Sequence, residues 1–386
     1  MKEEQLSFLI VRHDNIGDLV CVTPLIRALR KKFKHAKISV LANSYNAAVL
    51  ENSHDIDDIG CYTKAKHCDS WRDVVKAYYH KLKLLVELRR RRFDYVILAS
   101  PGFSPRALYM ALMVNPRHIV GFVGEGERER SRYIDVPVQR RGGESLHEAQ
   151  DVFRLLSPLD IHGEPPRVCI SPDRQLQATV VSKLGVSSLR IGVHISSRKI
   201  SQRWPARKYI EFIRRIHEKY DAEFLLFWSP GGEDNSFHPG DDAKALEIMQ
   251  AVHDLPVKAF PTVHLGELIA GLSVCDKVVC SDGGAMHIAA GLGKPILCFF
   301  GKSSAARWHP WGVPYVLLQP ESRDVEDVDM DCALSGFERL IQINLQQEMP
   351  EDSMPTANSQ QPTANSQQPT ANNTIACGLG LEFVIA

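Results

Sequence analysis

Asp18 closes the run Arg12-His13-Asp14-Asn15-Ile16-Gly17-Asp18, in which a glycine supplies a tight turn and a carboxylate follows at once. A carboxylate so placed can act as a general base on a hydroxyl or as a helix N-cap; the spacing alone admits both. Far downstream, Ser281-Asp282-Gly283-Gly284-Ala285-Met286-His287 has a similar build. Gly283 and Gly284 let a backbone approach a ligand closely, and free N–H groups at a helix start favour an anion such as a diphosphate. His287 falls one turn later, within reach of the same anion. Asp282 either accepts from a ribose or sugar hydroxyl or caps the helix. A third group, His194-Ile195-Ser196-Ser197-Arg198-Lys199-Ile200-Ser201-Gln202-Arg203-Trp204-Pro205, mixes hydroxyls with cations, a set suited to a diphosphate. In Ser229-Pro230-Gly231-Gly232-Glu233 the acid is placed to accept from ribose hydroxyls.

Each segment follows an apolar run. Residues 6–11, 190–195, 223–228 and 277–280 read as buried strands, and ligands of open α/β sheets bind beyond the carboxyl ends of such strands. The first half alternates these with helical stretches at 19–33, 44–50, 71–92 and 104–114 and with further strands at 37–42, 94–99 and 118–122. Pro24 is expected to bend the 19–33 helix or delay its start. Turn formers then cluster over 157–190, an expected interdomain linker, and the alternation restarts with helices at 205–220, 242–253, 264–274 and 285–292 and a strand at 295–300. This pattern predicts parallel sheets covered on both faces, in two successive α/β domains. No G-x-G-x-x-G follows the first strand, which disfavours a nicotinamide-dependent dehydrogenase.

At 386 residues, 44% hydrophobic and 24% charged, the chain is long enough for two cores and has the composition of a globular protein. It lacks an apolar run of the roughly 20 residues that span a bilayer, and residues 1–5 show no signal-peptide pattern. None of the nine cysteines forms a CxxC pair, and Cys21, Cys169, Cys275, Cys280 and Cys298 lie in apolar stretches, so a reduced, cytoplasmic protein without disulfide or structural metal is expected. The zero net charge conceals an asymmetry. Residues 1–150 carry 25 Lys and Arg against 18 Asp and Glu, whereas residues 151–386 carry 21 against 28. Much of the excess sits on the 71–92 helix, either as a solvated face with a basic last turn or as a surface for phosphorylated lipid or an acidic membrane. Nucleic acid is not expected as a partner, because exposed aromatics do not interleave with the cations as base stacking requires. From Pro355 the chain repeats Pro-Thr-Ala-Asn-Ser-Gln-Gln, again at Pro362 and once more begun at Pro369, a period with too little apolar content to bury a core, and disorder is expected over 346–386.

Taken together, these motifs give the chain a resemblance to glycosyltransferase family 9, the ADP-heptose:lipopolysaccharide heptosyltransferases. The carrying segments are 12–18 with Thr23-Pro24-Leu25-Ile26-Arg27-Ala28-Leu29, Arg203-Trp204-Pro205 with 208–213, and 281–301 running on to Trp308-His309-Pro310-Trp311-Gly312. They span roughly residues 5–345 in order. The resemblance implies a GT-B fold: an acceptor-binding Rossmann-like domain over 1–165 faces a nucleotide-sugar-binding one over 185–345. It further implies inverting transfer of a heptose or related sugar from ADP-heptose, as co-substrate without cofactor or metal, to a lipopolysaccharide core or lipid-linked acceptor, with peripheral contact at the inner membrane face. Residue by residue, Asp18 matches the catalytic base. Ser196 and Ser197 match hydroxyls near the diphosphate, Glu233 the acid near the ribose, and Asp282, Gly283, Gly284 and His287 the donor signature. One departure stands out: Gln202 occupies the place of a lysine that contacts the diphosphate, leaving Arg203 or Lys199 to supply the charge. Sugar-nucleotide 2-epimerases share the two-domain architecture, so an isomerase, or a nucleotide-sugar-binding protein without catalysis, is the alternative reading.

Overall fold

The computed structural model describes residues 5–64, 70–124, 131–140, 146–185, 187–232, 240–343, 375–377 and 381–385. The N-terminal lobe is built on β1 (Ser7–Val11), β2 (Lys37–Asn43), β3 (Asp58–Tyr62), β4 (Tyr95–Leu98), β5 (His118–Val123) and β6 (Val136–Gln139), an all-parallel sheet in the order β3-β2-β1-β4-β5-β6. The second lobe carries β7 (Arg190–His194), β8 (Glu223–Trp228), β9 (Val257–Pro261), β10 (Lys277–Ser281), β11 (Ile296–Phe299) and β12 (Tyr315–Gln319), which run parallel in the order β12-β11-β10-β7-β8-β9. Strands buried on both faces read as continuous apolar runs; β8 and β10 are buried at every position. Two short strands extend this sheet within the segment where disorder is expected: β14 (Leu381–Ile385) pairs antiparallel with β12, and β13 (Ile375–Cys377) pairs antiparallel with β14; residues 344–374 lie outside the described residues.

The helices that shape the site sit just after the strands. The expected 19–33 helix is two: α1 (Ile16–Val20) and α2 (Thr23–Lys32), with Pro24 in the first turn of α2. A proline fits there because its missing N–H has no intrahelical partner. Over 44–50 the chain forms only a 3₁₀ turn, Ala47–Val49, in place of the expected helix. α3 (Trp71–Arg90) and α4 (Pro105–Val114) pack together on the N-terminal lobe, each capped by a serine hydroxyl. α5 (Glu148–Phe153) and α6 (Arg174–Ser182) lie in the connection, and α7 (Ala206–Tyr220), α8 (Asp242–Ala251), α9 (Leu265–Ser273), α10 (Gly284–Gly291), α11 (Ala305–Trp308) and α12 (Met330–Gln342) belong to the second lobe.

The lobes meet through α1 and α10. A Cβ at Gly17 would lie 2.4 Å from Cδ2 of His287, and one at Gly284 would lie 3.3 Å from the Ile16 side chain. Glycine at position 17 is therefore required by close approach of the lobes. A single apolar cluster runs through this contact, joining Ile16, Leu19 and Val20 to Met286, Ile288 and Ala289.

Candidate active site

A cleft of about 730 Å³ opens between the lobes, at the carboxyl ends of β1, β7 and β10. Asn15, Gly17 and Asp18 line one wall; Ser196, Ser197, Lys199, Gln202, Asp282, Gly283, Gly284 and His287 line the other. Seven of the residues proposed from sequence are thus brought together. Arg203 is not. Its Nε donates to the Ser197 carbonyl at 2.9 Å, bracing the hydroxyl loop from behind rather than entering the cleft. Glu233 lies outside the described residues.

Asp18 is both a helix-terminal group and a cleft residue. Asn15 is the N-cap of α1, and Asp18, at the third helical position, completes a capping box. Its Oδ2 accepts from the Asn15 backbone N–H at 2.8 Å and from Asn15 Nδ2 at 2.9 Å, while Oδ1 accepts from Arg12 at 2.7 Å. Arg12 is 1% exposed and ties the first lobe together at the end of β1. One guanidinium nitrogen donates to the Ala99 carbonyl at 2.5 Å, another bridges Asp18 and Glu148 at 2.7 and 2.8 Å, and Nε lies 3.2 Å from Asp14. Burial disfavours its charge, but Asp18, Glu148 and Asp14 outweigh this and hold its pKa above the ordinary value. Glu148, at the start of α5, spends its other oxygen on Arg307 of α11 at 2.5 Å, so one buried carboxylate links arginines of both lobes. Burial raises Glu148 despite the two guanidiniums beside it.

The opposite wall is held by neutral groups. Gln202 Nε2 donates to Asp282 Oδ2 at 2.6 Å and to Ser303 Oγ at 2.8 Å, and its Oε1 accepts from Ser197 Oγ at 3.3 Å. The residue that departs from the lysine pattern therefore cross-links three loops of the site. Ser196 Oγ accepts from the Ser229 backbone N–H at 2.9 Å. Lys199 reaches Ser303 at 3.2 Å and, with Arg198, supplies the cations of the cleft rim. Asp282 does not cap α10, whose N-cap is Gly283 without a side-chain bond, so the capping alternative falls. Gly283 is extended, and a Cβ there meets nothing closer than 4.0 Å; the close approach belongs to Gly284. Burial lowers the His287 pKa, against the pull of Asp282 and Asp18, so the ring enters as a neutral group rather than a cation. Trp308 packs edge-on to it at 5.9 Å between centroids.

A second cavity of about 560 Å³ lies wholly on the N-terminal lobe. Asn15 borders both cavities; Lys64, Lys81 and Arg106 give this one a cationic lining beside Tyr62 and Tyr78. Among the described residues no group of three or more His, Cys, Asp or Glu side chains is arranged to hold a metal ion, and no helix is long and apolar enough to cross a membrane.

The family model described as glycosyltransferase family 9 (heptosyltransferase) matches residues 81–337. The chain belongs to glycosyltransferase family 9. This membership sets aside the isomerase alternative and makes the chain a glycosyltransferase. Among curated relatives of this family 9 chain, lipopolysaccharide heptosyltransferase 3 of Escherichia coli is 22% identical over 299 residues, covering 76% of the chain and 83% of the relative. Among solved structures, a family 9 glycosyltransferase from Veillonella parvula superposes with a TM-score of 0.72 at 17% identity, covering 88% of this chain and 98% of that one. The E. coli heptosyltransferase WaaC with ADP-2-deoxy-2-fluoro heptose gives 0.69 at 13% identity, covering 86% and 99%. These likenesses show the GT-B arrangement of two facing lobes.

Three residues that the structure places in or behind the cleft walls had been given no role from sequence. Arg12 lies inside the first quoted motif, and its position at the end of a buried strand was the available signal. Glu148 is 136 residues from its partner Arg12, a separation no local pattern reveals. Gln202 was visible only as a departure.

Proposed function

We propose that this family 9 glycosyltransferase moves a heptose from ADP-heptose to the lipopolysaccharide core with inversion at the anomeric carbon. The observation that carries the reading is the meeting of Asp18 on one wall with Ser196, Ser197, Lys199, Asp282 and Gly284 on the other, in a single cleft at the strand ends. The acceptor hydroxyl oxygen bonds to the anomeric carbon from the face opposite the nucleotide, the bond from that carbon to the diphosphate breaks, and its electron pair leaves with ADP. The hydroxyl proton goes to Asp18. A carboxylate offers about four acceptor positions; three are filled by Arg12 and Asn15, which leaves one on Oδ1 for that proton. Charge growing on the diphosphate is met by the Ser196 and Ser197 hydroxyls, the N–H groups at the start of α10, and Lys199 and Arg198. Lys199 takes the part of the family lysine; Arg203 only supports the loop. The cationic cavity on the N-terminal lobe holds the anionic groups of the acceptor beside Asp14 and Asn15, and the enzyme works at the cytoplasmic membrane face.

The test is transfer from ADP-heptose to truncated lipopolysaccharide by wild type and Asp18→Asn. The variant is expected to lose about 10²–10⁴-fold in kcat, the range of a general base, while ADP binding by calorimetry stays within twofold. Near-normal turnover by the variant removes Asp18 from the chemistry, and failure of the wild type with ADP-heptose but not with another ADP-sugar redefines the donor.

A further inference from the structure

α3 shows an apolar strip that none of the described residues covers. Trp71, Val75, Tyr78, Tyr79, Leu82 and Val86 are between 41% and 73% exposed. At 3.6 residues per turn they fall within an arc of about 100°, adjacent to the arc of Ala77, Leu85 and Leu88 that packs on the lobe. Isolated exposed apolar residues need no explanation, but an aligned strip from Trp71 to Val86 of a 20-residue helix marks an interaction surface. Its outer edge is cationic: Arg72, Lys76, Lys83 and Arg90 project there at helical spacing. The two acids of the helix lie beyond that row and engage it, Asp73 with Lys76 at 3.7 Å and Glu87 with Lys83 at 4.0 Å.

We infer that α3 is a membrane-docking helix that lies flat on an anionic phospholipid bilayer, its aromatic and aliphatic strip entering the headgroup boundary and its basic row meeting lipid phosphates. The charge pattern selects this occupant. Two copies of the chain paired through the strip would bring two rows of four cations together, whereas a bilayer of acidic lipid offers both the apolar layer and the counter-charge. The helix is too charged to span a membrane yet long enough, about 30 Å, to rest on one. Tyr78 and Lys81 of the same helix border the cationic cavity of the N-terminal lobe, so docking sets that opening at the lipid boundary. That last consequence rests on the acceptor reading above; the docking does not.

The experiment is co-sedimentation of the full chain with vesicles of equal phosphatidylglycerol and phosphatidylethanolamine, and with phosphatidylcholine vesicles, neither containing any sugar acceptor. Binding to the anionic vesicles is expected to exceed that to the neutral ones by at least about tenfold. Both Trp71→Ser/Leu82→Ser/Val86→Ser and Lys76→Gln/Lys83→Gln/Arg90→Gln should lower it by about tenfold or more. Transfer to a water-soluble acceptor should remain unchanged in both, which shows that they fold and that the cleft is intact. Equal binding to both vesicle types, unchanged binding by the apolar variant, or a dimer in sedimentation velocity that the apolar variant dissociates without any vesicle binding would each overturn the inference. A chain that binds anionic vesicles but transfers no heptose would refute the proposed reaction and leave the docking standing.

Discussion

The two walls of the cleft are fixed by opposite means. On the N-terminal wall, Asp18 is clamped by a charge network: one buried guanidinium shared among Asp18, Glu148 and Asp14, with Glu148 carrying the link across to Arg307. On the C-terminal wall, Asp282, Ser197 and Ser303 are drawn together by a neutral amide, Gln202, and the cations Arg198 and Lys199 stay at the rim. The contrast fits the two tasks that the proposed reaction gives the walls. A group that must take a proton along one direction gains from rigid, oriented donors. A wall that must meet a diphosphate arriving with its own charge gains from cations not already spent on internal carboxylates.

Breaking the charged wall should have the largest effect on stability. Arg12→Met leaves buried carboxylates without their shared partner and is expected to cost about 3–5 kcal/mol, read as a lower urea midpoint, together with loss of transfer. A cost below about 1 kcal/mol would mean that Arg307 alone compensates Glu148. Acid strikes the interior near both walls. Burial lowers His147 to about 3 and His194 to about 4 from the ordinary 6.5. Between those values and 6.5 the unfolded chain binds protons that the folded chain does not, so stability rises with pH across the window and is lost on acidification. Each histidine contributes about 1.4 kcal/mol per pH unit there, and unfolding curves from pH 7 to 5 should show that slope; a flat profile would mean these rings gain protons in the folded state. The smallest effect sharpens the neutral wall. Lys199→Met should weaken ADP binding about tenfold, roughly 1.4 kcal/mol, whereas Arg203→Met should change it less than threefold, about 0.6 kcal/mol. The reverse order would return Arg203 to the donor site.

What was legible in the sequence was whatever depends on local pattern. β1, β8 and β10 announce themselves as continuous apolar runs because both of their faces are covered. The glycines and acids that follow mark the cleft from both sides. β3, β6 and β9 gave no such signal: they are outer strands of the two parallel sheets, partly exposed, with patterns broken by Asp58, Pro137 and Lys258. Arg203 misled for a related reason, since the direction of a side chain in an irregular loop is set by tertiary contacts and not by spacing. Arg12 to Glu148 could not be read at all, because a buried ion pair has no periodicity and its partners come from distant stretches.

The bare α-carbon at position 17 serves as a gauge of how far the two halves stand apart. With the His287 ring filling the space of a methyl group, alanine there is admitted only if the histidine swings away or the halves separate. A chain bearing Gly17→Ala would therefore be trapped short of full engagement, and its small-angle scattering profile would report the gap directly.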